Sequence, residues 1–325
     1  LNRQLRRQGR LFGPEPRHGK VATIGGMIAR NDAGAGWAKY GATRDHVLAL
    51  QVVLAEGTVH EFSREPIEPA ETDHVHPRKR QIVSGLAQIL ADHRQLIRQR
   101  RPGCPLYRGG YDLDGLLCED TVDLARLMAG SEGTLGIVTE ATLATAPVPL
   151  CRNAAILLFD GLEKAVRAGL DIVALGATAC ELVDRRWLTL ARESQADYES
   201  LVPPQAEALL VVEYQGDDPS QVRQWMEAAI EGVAQQRRLA FSARQAVDDR
   251  DIELSWGLVS RPPAATYRLR GPSRPAPVLE DVAVAPQLLP DFLPRVQNVL
   301  KRWQVTASIS IHVALGQLRI RPFLD

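Results

Sequence analysis

The chain has 325 residues, of which 45% are hydrophobic and 24% are charged, a composition that is ordinary for a globular protein and argues against disorder. A single core rarely grows beyond about 250 to 300 residues, so the length predicts two domains. Lys and Arg together number 39, as do Asp and Glu, and no long basic run is present. This balance gives no support to capture of nucleic acid or of an anionic membrane, and it favours a small molecule as the partner.

Cysteine spacing, apolar runs and the chain ends set further limits. The four cysteines form neither a C-x-x-C pair nor a zinc-ligand spacing, so we expect reduced structural thiols. No stretch approaches the roughly 18 to 20 apolar residues of a membrane helix, and no signal-peptide core is present. We expect no integral membrane segment and a cytoplasmic location, with a peripheral position at the inner membrane left open. Leu1 at the start and a strand-like run directly before Asp325 suggest a piece of a longer protein.

The first part of the chain is predicted to be sheet structure between glycine-rich loops. The segment VATIGGMIARNDAGAG crowds small residues between apolar ones, which predicts a loop-rich site and not a plain helix. The run VLALQVVLAEGTVHEF carries apolar residues on both sides of residues 56–57 and predicts a β-hairpin. Residues 80–101 have the apolar spacing of a surface helix.

A second glycine cluster, GSEGTLGIVTE from Gly130, leads into a strand-like run, after which Pro147 and Pro149 break the pattern. We therefore predict domains at 1–149 and 150–325. In the second domain strands and helices alternate, which predicts an α+β fold with an open sheet covered by helices on one face, as in ferredoxin-like domains. The predicted strands are 155–159, 179–183, 208–214, 278–284, 305–311 and 317–323, and the predicted helices begin at 162, 185, 220 and 286.

Consecutive backbone N–H groups at Thr23, Ile24, Gly25 and Gly26 meet little side-chain obstruction, which suits a pyrophosphate. A tight structural turn explains the same residues equally well, since paired glycines are common in loops. The G-x-G-x-x-G and G-x-x-x-x-G-K-[ST] fingerprints are absent, which disfavours a Rossmann or P-loop site.

Three segments taken together are more specific. In this order, VATIGGMIARNDAGAG, YGATRDHVLALQVVLAEGTV and DLARLMAGSEGTLGIVTEATL resemble the PCMH-type FAD-binding domain of the vanillyl-alcohol-oxidase flavoproteins, in the branch of glycolate oxidase and D-lactate dehydrogenase. GGYDLDGLL from Gly109 resembles the segment that precedes the third motif, whereas Asp32 stands where a small residue is more usual. The resemblance implies FAD as cofactor, with contacts from Thr23, Ile24, Gly25, Gly26, Asn31, Gly34, Gly41, Ala42, Thr43, Asp45, Val47, Glu132, Gly133, Gly136, Ile137 and Val138.

The second part resembles the FAD-linked oxidase cap domain, through ACELVDRRWL, LLVVEYQG, PVLEDVAVAP and HVALGQLRIRPFLD. The resemblance implies that the family's N-terminal phosphate-loop subdomain precedes this chain, that the cap is truncated, and that the chain alone binds FAD weakly. The closing RPFLD points to large members fused to an iron–sulfur module, which this chain does not contain.

The resemblance also implies a metal motif, H-x-G-x-G-x-x-H with a later glutamate, from which this chain departs. His312 and Gly316 are kept, whereas Ala314 replaces a glycine and Arg319 replaces the second histidine. One imidazole does not make a dedicated zinc site, so we expect no metal. Arg319 is a candidate to supply a fixed positive charge in its place, since a guanidinium binds carboxylates through two parallel hydrogen bonds.

The implied activity is oxidation of a small 2-hydroxy acid of the D-lactate, glycolate or D-2-hydroxyglutarate type, with hydride transfer to the flavin and electrons passed to a cytochrome, a quinone or an iron–sulfur centre. Arg261 is the candidate carboxylate clamp and His312 the candidate base, with Glu280 or Asp281 orienting either group. A solvated arginine, a structural histidine and solvated acids are the plain alternatives. A sugar or lactone oxidase on the same scaffold and a non-catalytic remnant also remain open.

Overall fold

A computed structural model describes residues 1–17, 19, 21–69, 75–101, 103–106, 109–260, 265–266, 269 and 272–325. Arg261 lies outside these residues, as does the side chain of Asp281. Backbone contacts divide the chain into two units, the first formed by Leu1–Gly34 with Tyr40–Val148 and the second by Ala35–Lys39 with Pro149–Asp325. The domain limits of 1–149 and 150–325 stay a prediction, and the grouping of residues 35–39 with the second unit was not expected.

Up to residue 148 the structure is a set of short strands and helices. The helices are α1 (Asn2–Leu5), α2 (Ile24–Arg30), α3 (Trp37–Tyr40), α4 (Pro77–Asp92), α5 (Arg94–Arg100) and α6 (Leu124–Met128). The strands are β1 (Arg10–Leu11), β2 (Val47–Val53), β3 (Val59–Phe62), β4 (Arg64–Pro66), β5 (Leu117–Cys118), β6 (Thr121–Asp123), β7 (Ile137–Leu143) and β8 (Ala146–Pro147). They form small antiparallel sheets in the orders β3-β2-β7, β4-β6-β5 and β1-β8.

The predicted hairpin is confirmed, because β2 and β3 pair antiparallel and Gly57 takes a positive φ of 83° in the turn between them. The predicted single helix over 80–101 is wrong, since α4 ends before His93 and α5 begins after it. Val83, Ala87 and Leu90 bury the apolar side of α4, whereas α5 buries no residue. Because α5 buries no residue, little packing holds it in line with α4.

The first glycine segment, predicted as a loop-rich site, has a helix at its centre, α2, with turns and irregular residues on both sides. The Thr23 hydroxyl accepts from Gly26 N at 3.1 Å, which is an N-cap, and Asn31 ends the helix in the left-handed region with a φ of 49°. Met27 and Ile28 are buried and attach the helix to the core. Neither Gly25 nor Gly26 has a positive φ, so the pair forms a helical first turn and not an anion-binding nest.

The second unit is built on a large antiparallel sheet. Its strands are β9 (Cys151–Phe159), β10 (Ala179–Asp184), β11 (Ala208–Gly216), β12 (Ser242–Gln245), β13 (Arg274–Pro275), β14 (Leu279–Ala283), β15 (Ala307–His312) and β16 (Gln317–Leu324). Its helices are α7 (Leu162–Ala174), α8 (Arg185–Ser194), α9 (Ala196–Leu201), α10 (Pro219–Ile230), α11 (Asp249–Ser260) and α12 (Leu289–Arg302). The order is β12-β9-β11-β10-β15-β16-β13, with β14 also paired to β16. The first four strands follow the predicted ferredoxin-like arrangement.

Helices cover both faces of this sheet, so the prediction of helices on one face alone is wrong. Helices α7, α10 and α12 pack on one face, around Leu157, Leu182 and Leu210. Helices α8 and α11 pack on the opposite face, against the alternate residues Val183 and Leu209. Strands β9 and β11 are buried at consecutive positions, which is the pattern of a strand covered on both sides.

Candidate functional site

The first two motifs meet at the C-terminal end of α2. Asn31 is buried, and its Oδ1 accepts a hydrogen bond from Arg44 N at 2.9 Å. The carbonyl oxygen of Asp32 accepts from both Thr43 N at 2.9 Å and the Thr43 hydroxyl at 2.6 Å. Asp32, the unusual acid, forms an ion pair with Arg30 at 2.6 Å. The turn that contains Thr43 is therefore attached to the helix that begins the site.

The third motif reaches the same end of α2. Gly130 N donates to the carbonyl oxygen of Ile28 at 2.8 Å, and Glu132 N donates to that of Ala29 at 2.8 Å. Gly130, Glu132 and Gly133 all take positive φ angles, of 92°, 52° and 77°. This left-handed stretch turns the backbone back toward α2. The structure thus brings the third motif to the first two, from which it is far removed in sequence.

The glycines of these motifs fall into two kinds. A Cβ atom on Gly34 would lie 2.3 Å from the carbonyl oxygen of Glu15, and one on Gly136 would lie 2.6 Å from Val52 Cγ1. These two glycines are needed by contacts within the protein. A Cβ atom on Gly25 would meet nothing within 4 Å. The protein therefore does not require a glycine at this position, and Gly25 stays a predicted cofactor contact.

The remaining predicted FAD contacts also divide into residues that are used within the protein and residues that are exposed. Asp45 is used within the protein, because its carboxylate accepts from Ala42 N at 2.9 Å and from Arg126 Nη2 at 3.1 Å. Val47 is buried in the core, so its side chain does not face a ligand. The side chain of Ile137, by contrast, is 68% exposed on β7. Gly41 (φ 73°), whose Cβ would lie 2.7 Å from Asp45 Oδ2, belongs with the structural glycines, and Val138 pairs with Val52 in the sheet.

The segment from Gly109 ties the second and third motifs together, a role that the sequence did not reveal. The Asp112 carboxylate forms an ion pair with the buried guanidinium of Arg44, and its carbonyl oxygen accepts from Arg44 Nη2 at 3.2 Å. Burial first, and then the neighbouring Arg126, lowers the pKa of Arg44 to about 10. The Tyr111 hydroxyl lies 2.6 Å from the hydroxyl of Thr134 in the third motif.

In the second unit, His312 lies on a polar part of the sheet face that carries α8 and α11. Ile309 and Ile311 point to the opposite, apolar core, so His312 faces the other way. It is only 3% exposed, and its Nδ1 accepts from Leu315 N at 3.4 Å. Its direct cross-strand partner on β10 is Glu181, which is only 2% exposed.

Arg319 lies on the same face as His312, on the next strand. It is paired in register with Ser310, and its Nη2 donates to Gln317 Oε1 at 3.5 Å. Glu280, expected to orient the base or the clamp, instead binds Arg321 at 2.5 Å. The structure therefore brings His312 and Arg319 to one face and gives Glu280 a different partner, while Arg261 lies outside the described residues.

Two buried acids on this face escaped the sequence analysis. Besides Glu181, Glu213 on β11 is only 4% exposed and accepts from Trp256 Nε1 and from Gln215 Nε2. Each acid interrupts an apolar strand, in ACELVD and in LLVVEYQ. A charged residue within a buried strand marks a functional or specifically paired position, and that was the available signal. Within the described ranges, no helix is long and apolar enough to cross a membrane.

Comparisons with known proteins agree with this arrangement. A family model described as FAD linked oxidases, C-terminal domain, matches residues 148–325, and one described as FAD binding domain matches residues 1–63. The D-2-hydroxyglutarate dehydrogenase of Pantoea ananatis (strain AJ13355) is 32% identical over 338 residues, covering 100% of this chain and 33% of that protein. Glycolate oxidase subunit GlcD of Bacillus subtilis (strain 168) is 26% identical, covering 97% and 55%.

A solved structure of alkyldihydroxyacetonephosphate synthase matches with a TM-score of 0.60 and 17% identity, covering 99% of this chain and 54% of that chain. This likeness concerns the fold alone. The chain spans about a third of the length of the D-2-hydroxyglutarate dehydrogenase that it matches. The α+β fold class and FAD as the cofactor, both predicted from the sequence, are confirmed by these matches. The family model of FAD linked oxidases, C-terminal domain, matches more than half of the residues of this chain, so this chain belongs to the FAD-linked oxidases.

Proposed function

We propose that this chain is part of an FAD-dependent dehydrogenase that oxidises a small 2-hydroxy acid of the D-2-hydroxyglutarate, D-lactate or glycolate type. The observation that carries the proposal is the buried polar part of a sheet face, with His312, Glu181 and Arg319, within a family domain of flavin oxidases. Relatives named for oxidation of these acids align with the whole chain or nearly all of it, which supports the same substrate class.

In the first unit, the backbone around Gly25 and the left-handed stretch at Gly130 to Gly133 would hold the cofactor. The N–H groups of Ile24 and Gly25, which precede the capped Gly26, would be donors for its polar part. The exposed side chain of Ile137 is an apolar contact for a flat ring. FAD, when bound, supplies the acceptor for the hydride that leaves the substrate α-carbon.

In the second unit, His312 would take the proton of the substrate hydroxyl, while an arginine binds the substrate carboxylate. We assign Nδ1 of His312 as the basic atom, because it already acts as an acceptor toward Leu315 N, in a contact that is long at 3.4 Å. Glu181, directly opposite, would stabilise the imidazolium that forms. As the electron acceptor we propose a cytochrome, a quinone or an iron–sulfur centre, without a preference among them.

The test is anaerobic mixing of the intact flavin-loaded protein with D-2-hydroxyglutarate, D-lactate and glycolate, while the absorbance of the oxidised flavin is recorded. Bleaching by one of these acids, and not by its L-enantiomer where one exists, is the expected result. Bleaching only by an aldose or a lactone would instead assign a sugar or lactone oxidase. An intact protein that carries no flavin would assign a non-catalytic remnant.

A further inference from the structure

The polar part of the sheet face around His312 does not offer the ligands of a divalent metal. The motif that this segment resembles supplies two histidines, but here the second position is Arg319, which has no lone pair to donate. Next to His312, Glu181 is the nearest acid by strand register. In the part of the chain that the structure describes, no three residues of the types His, Cys, Asp and Glu lie together as a metal site would need. His312 and Glu181 lie beside a guanidinium, and Glu213, the second buried acid of this face, accepts from Trp256 Nε1 and Gln215 Nε2. These residues do not fit a catalytic zinc, which takes three protein ligands.

The same residues form a row of charge across three neighbouring strands. Glu181 on β10 is opposite His312 on β15, and Ser310, two residues before His312, is opposite Arg319 on β16. Side chains opposite each other on one face have Cβ atoms about 4.5 to 5.5 Å apart, and diagonal neighbours are about 7 to 8 Å apart. At such spacings, the side chains of His312 and Arg319 can both reach one small anion.

The strand register also assigns a different role to each charge. Glu181 is the direct cross-strand neighbour of His312, and a carboxylate in that position favours the charged form of an imidazole. Arg319 has the hydroxyl of Ser310 as its direct cross-strand neighbour and is oriented by Gln317 Oε1 at 3.5 Å. Its guanidinium stays charged at any physiological pH and matches the planar geometry of a carboxylate.

We propose that Arg319, with His312 beside it, is a metal-independent binding site for the substrate carboxylate, in which the guanidinium binds the carboxylate in place of a divalent cation. The proposal rests on the proposed function for the identity of the anion as a hydroxy acid. It assigns the pairing of Glu181 with His312 to proton uptake, and Arg319 to anchoring of the substrate.

The first experiment measures binding of oxalate, a carboxylate probe that the proposed reaction cannot oxidise, to the intact flavin-loaded protein by calorimetry. We expect a chelator to leave the affinity unchanged, and Arg319→Met to weaken it about 30-fold or more. The matched control is Arg244→Met. Arg244 lies on the same face, on the edge strand β12, and its side chain is 55% exposed. The Arg244→Met variant should change the oxalate affinity by less than about twofold.

Two results would overturn the proposal. One is a stoichiometric metal in the wild-type protein whose removal abolishes oxalate binding, and the other is unchanged oxalate affinity in Arg319→Met. Arg319→Lys, which keeps the charge but not the fork of donors, should bind oxalate with an intermediate affinity. Thermal melting of each variant checks that it is folded. If Arg319→Met does not fold, Arg319→Lys still tests the proposal.

The outcome of flavin bleaching separates this inference from the proposed function. No bleaching by any 2-hydroxy acid, with oxalate binding that still depends on Arg319, would overturn the proposed function alone. Bleaching by a hydroxy acid, with oxalate binding indifferent to Arg319, would overturn this inference alone.

Discussion

The carboxylate of Asp112 holds the guanidinium of Arg44 within the first unit, where only 4% of the Arg44 side chain is exposed. Asp112→Asn leaves that buried cation without its counter-charge, so we expect a loss of about 3 kcal/mol in the free energy of unfolding, measured with urea. The control is Asp114→Asn, two residues away, which removes the exposed pair with Arg101 and should cost less than about 1 kcal/mol. Equal losses in the two variants would contradict a special role for Asp112.

Gly25→Ala distinguishes a cofactor contact from a structural glycine. Nothing lies within 4 Å of the added Cβ, and alanine favours a helix, so the unfolding free energy should rise by up to about 1 kcal/mol. FAD affinity, measured by fluorescence titration, should nevertheless fall by about tenfold, because the methyl group enters the space that we assign to the cofactor. Unchanged affinity would remove Gly25 from the FAD site.

For Gly136→Ala we expect a loss of stability, in contrast to the gain expected for Gly25→Ala. Its Cβ would lie 2.6 Å from Val52 Cγ1 and 3.0 Å from the carbonyl oxygen of Val53. Overpacking of this kind lowers the free energy of unfolding by about 1 to 3 kcal/mol. The measurement is urea unfolding without FAD, and a variant as stable as the wild type would show that β2 and β7 can separate at this point.

Tyr111→Phe tests whether the segment from Gly109 supports the third motif. The hydroxyl of Tyr111 lies 2.6 Å from that of Thr134, which itself donates to the carbonyl oxygen of Ser131. Loss of one hydrogen bond corresponds to a roughly two- to tenfold weaker FAD affinity by fluorescence titration. Ser84→Ala is the control, because it removes an exposed hydroxyl that donates to the carbonyl oxygen of Gln81 on α4, and it should leave the affinity unchanged. A similar loss in both variants would contradict the assignment.

Asp184 makes the stability of the second unit depend on pH. It caps α8 by accepting from Trp187 N at 2.9 Å, and burial raises its pKa to about 7. Since the unfolded carboxyl titrates near 4, the unfolded chain ionises first, and stability falls as the pH rises between about 4 and 7. Asp184→Asn keeps the cap and removes this titration. The carboxyl keeps some solvent contact, so between pH 5 and 7 the variant should gain about 1 to 2 kcal/mol on the wild type.

Urea unfolding at pH 5, 6, 7 and 8 measures this difference. A wild-type stability that rises across the same range relative to Asp184→Asn would show that the ionised carboxylate is the favoured form, and would contradict the prediction. Asp218→Asn is the control, because Asp218 caps α10 from an exposed position and its pKa is lowered by the Ser220 hydroxyl and backbone N–H.

Local signals predicted the elements of the fold well where they were strong. The apolar runs of β9, β10 and β11 and the turn at Gly57 appear in the structure where the sequence indicated them. The glycine pair before Met27 indicated loop structure, but a helix forms there, because a Thr23 cap and buried neighbours outweigh the low helix propensity of glycine. The continuous apolar runs of β9 and β11 indicate strands covered on both faces, and the structure buries them on both, whereas the alternation of strands and helices had predicted one covered face.

The site was less predictable, because it depends on pairings between distant segments. Arg44 and Asp112 are 68 positions apart, and no local pattern marks them as partners. Glu181 was visible as an acid within an apolar strand, but its position opposite His312 follows from the register of β10 against β15. Register is set by the whole hydrophobic pattern of a sheet, so it could not be read from either strand alone.

The hydrogen bonds at the end of α2 also determine when the flavin site can form during folding. The bond from Gly130 to Ile28 closes a loop of about one hundred residues, and the bond from Arg44 to Asn31 closes a much shorter one. Closing the long loop costs chain entropy before any flavin contact returns it, so the surface around Gly25 and Gly130 should be among the last parts to be organised. A ligand that binds only the native state stabilises it by mass action, so FAD at concentrations above its Kd should shift this surface toward its organised form.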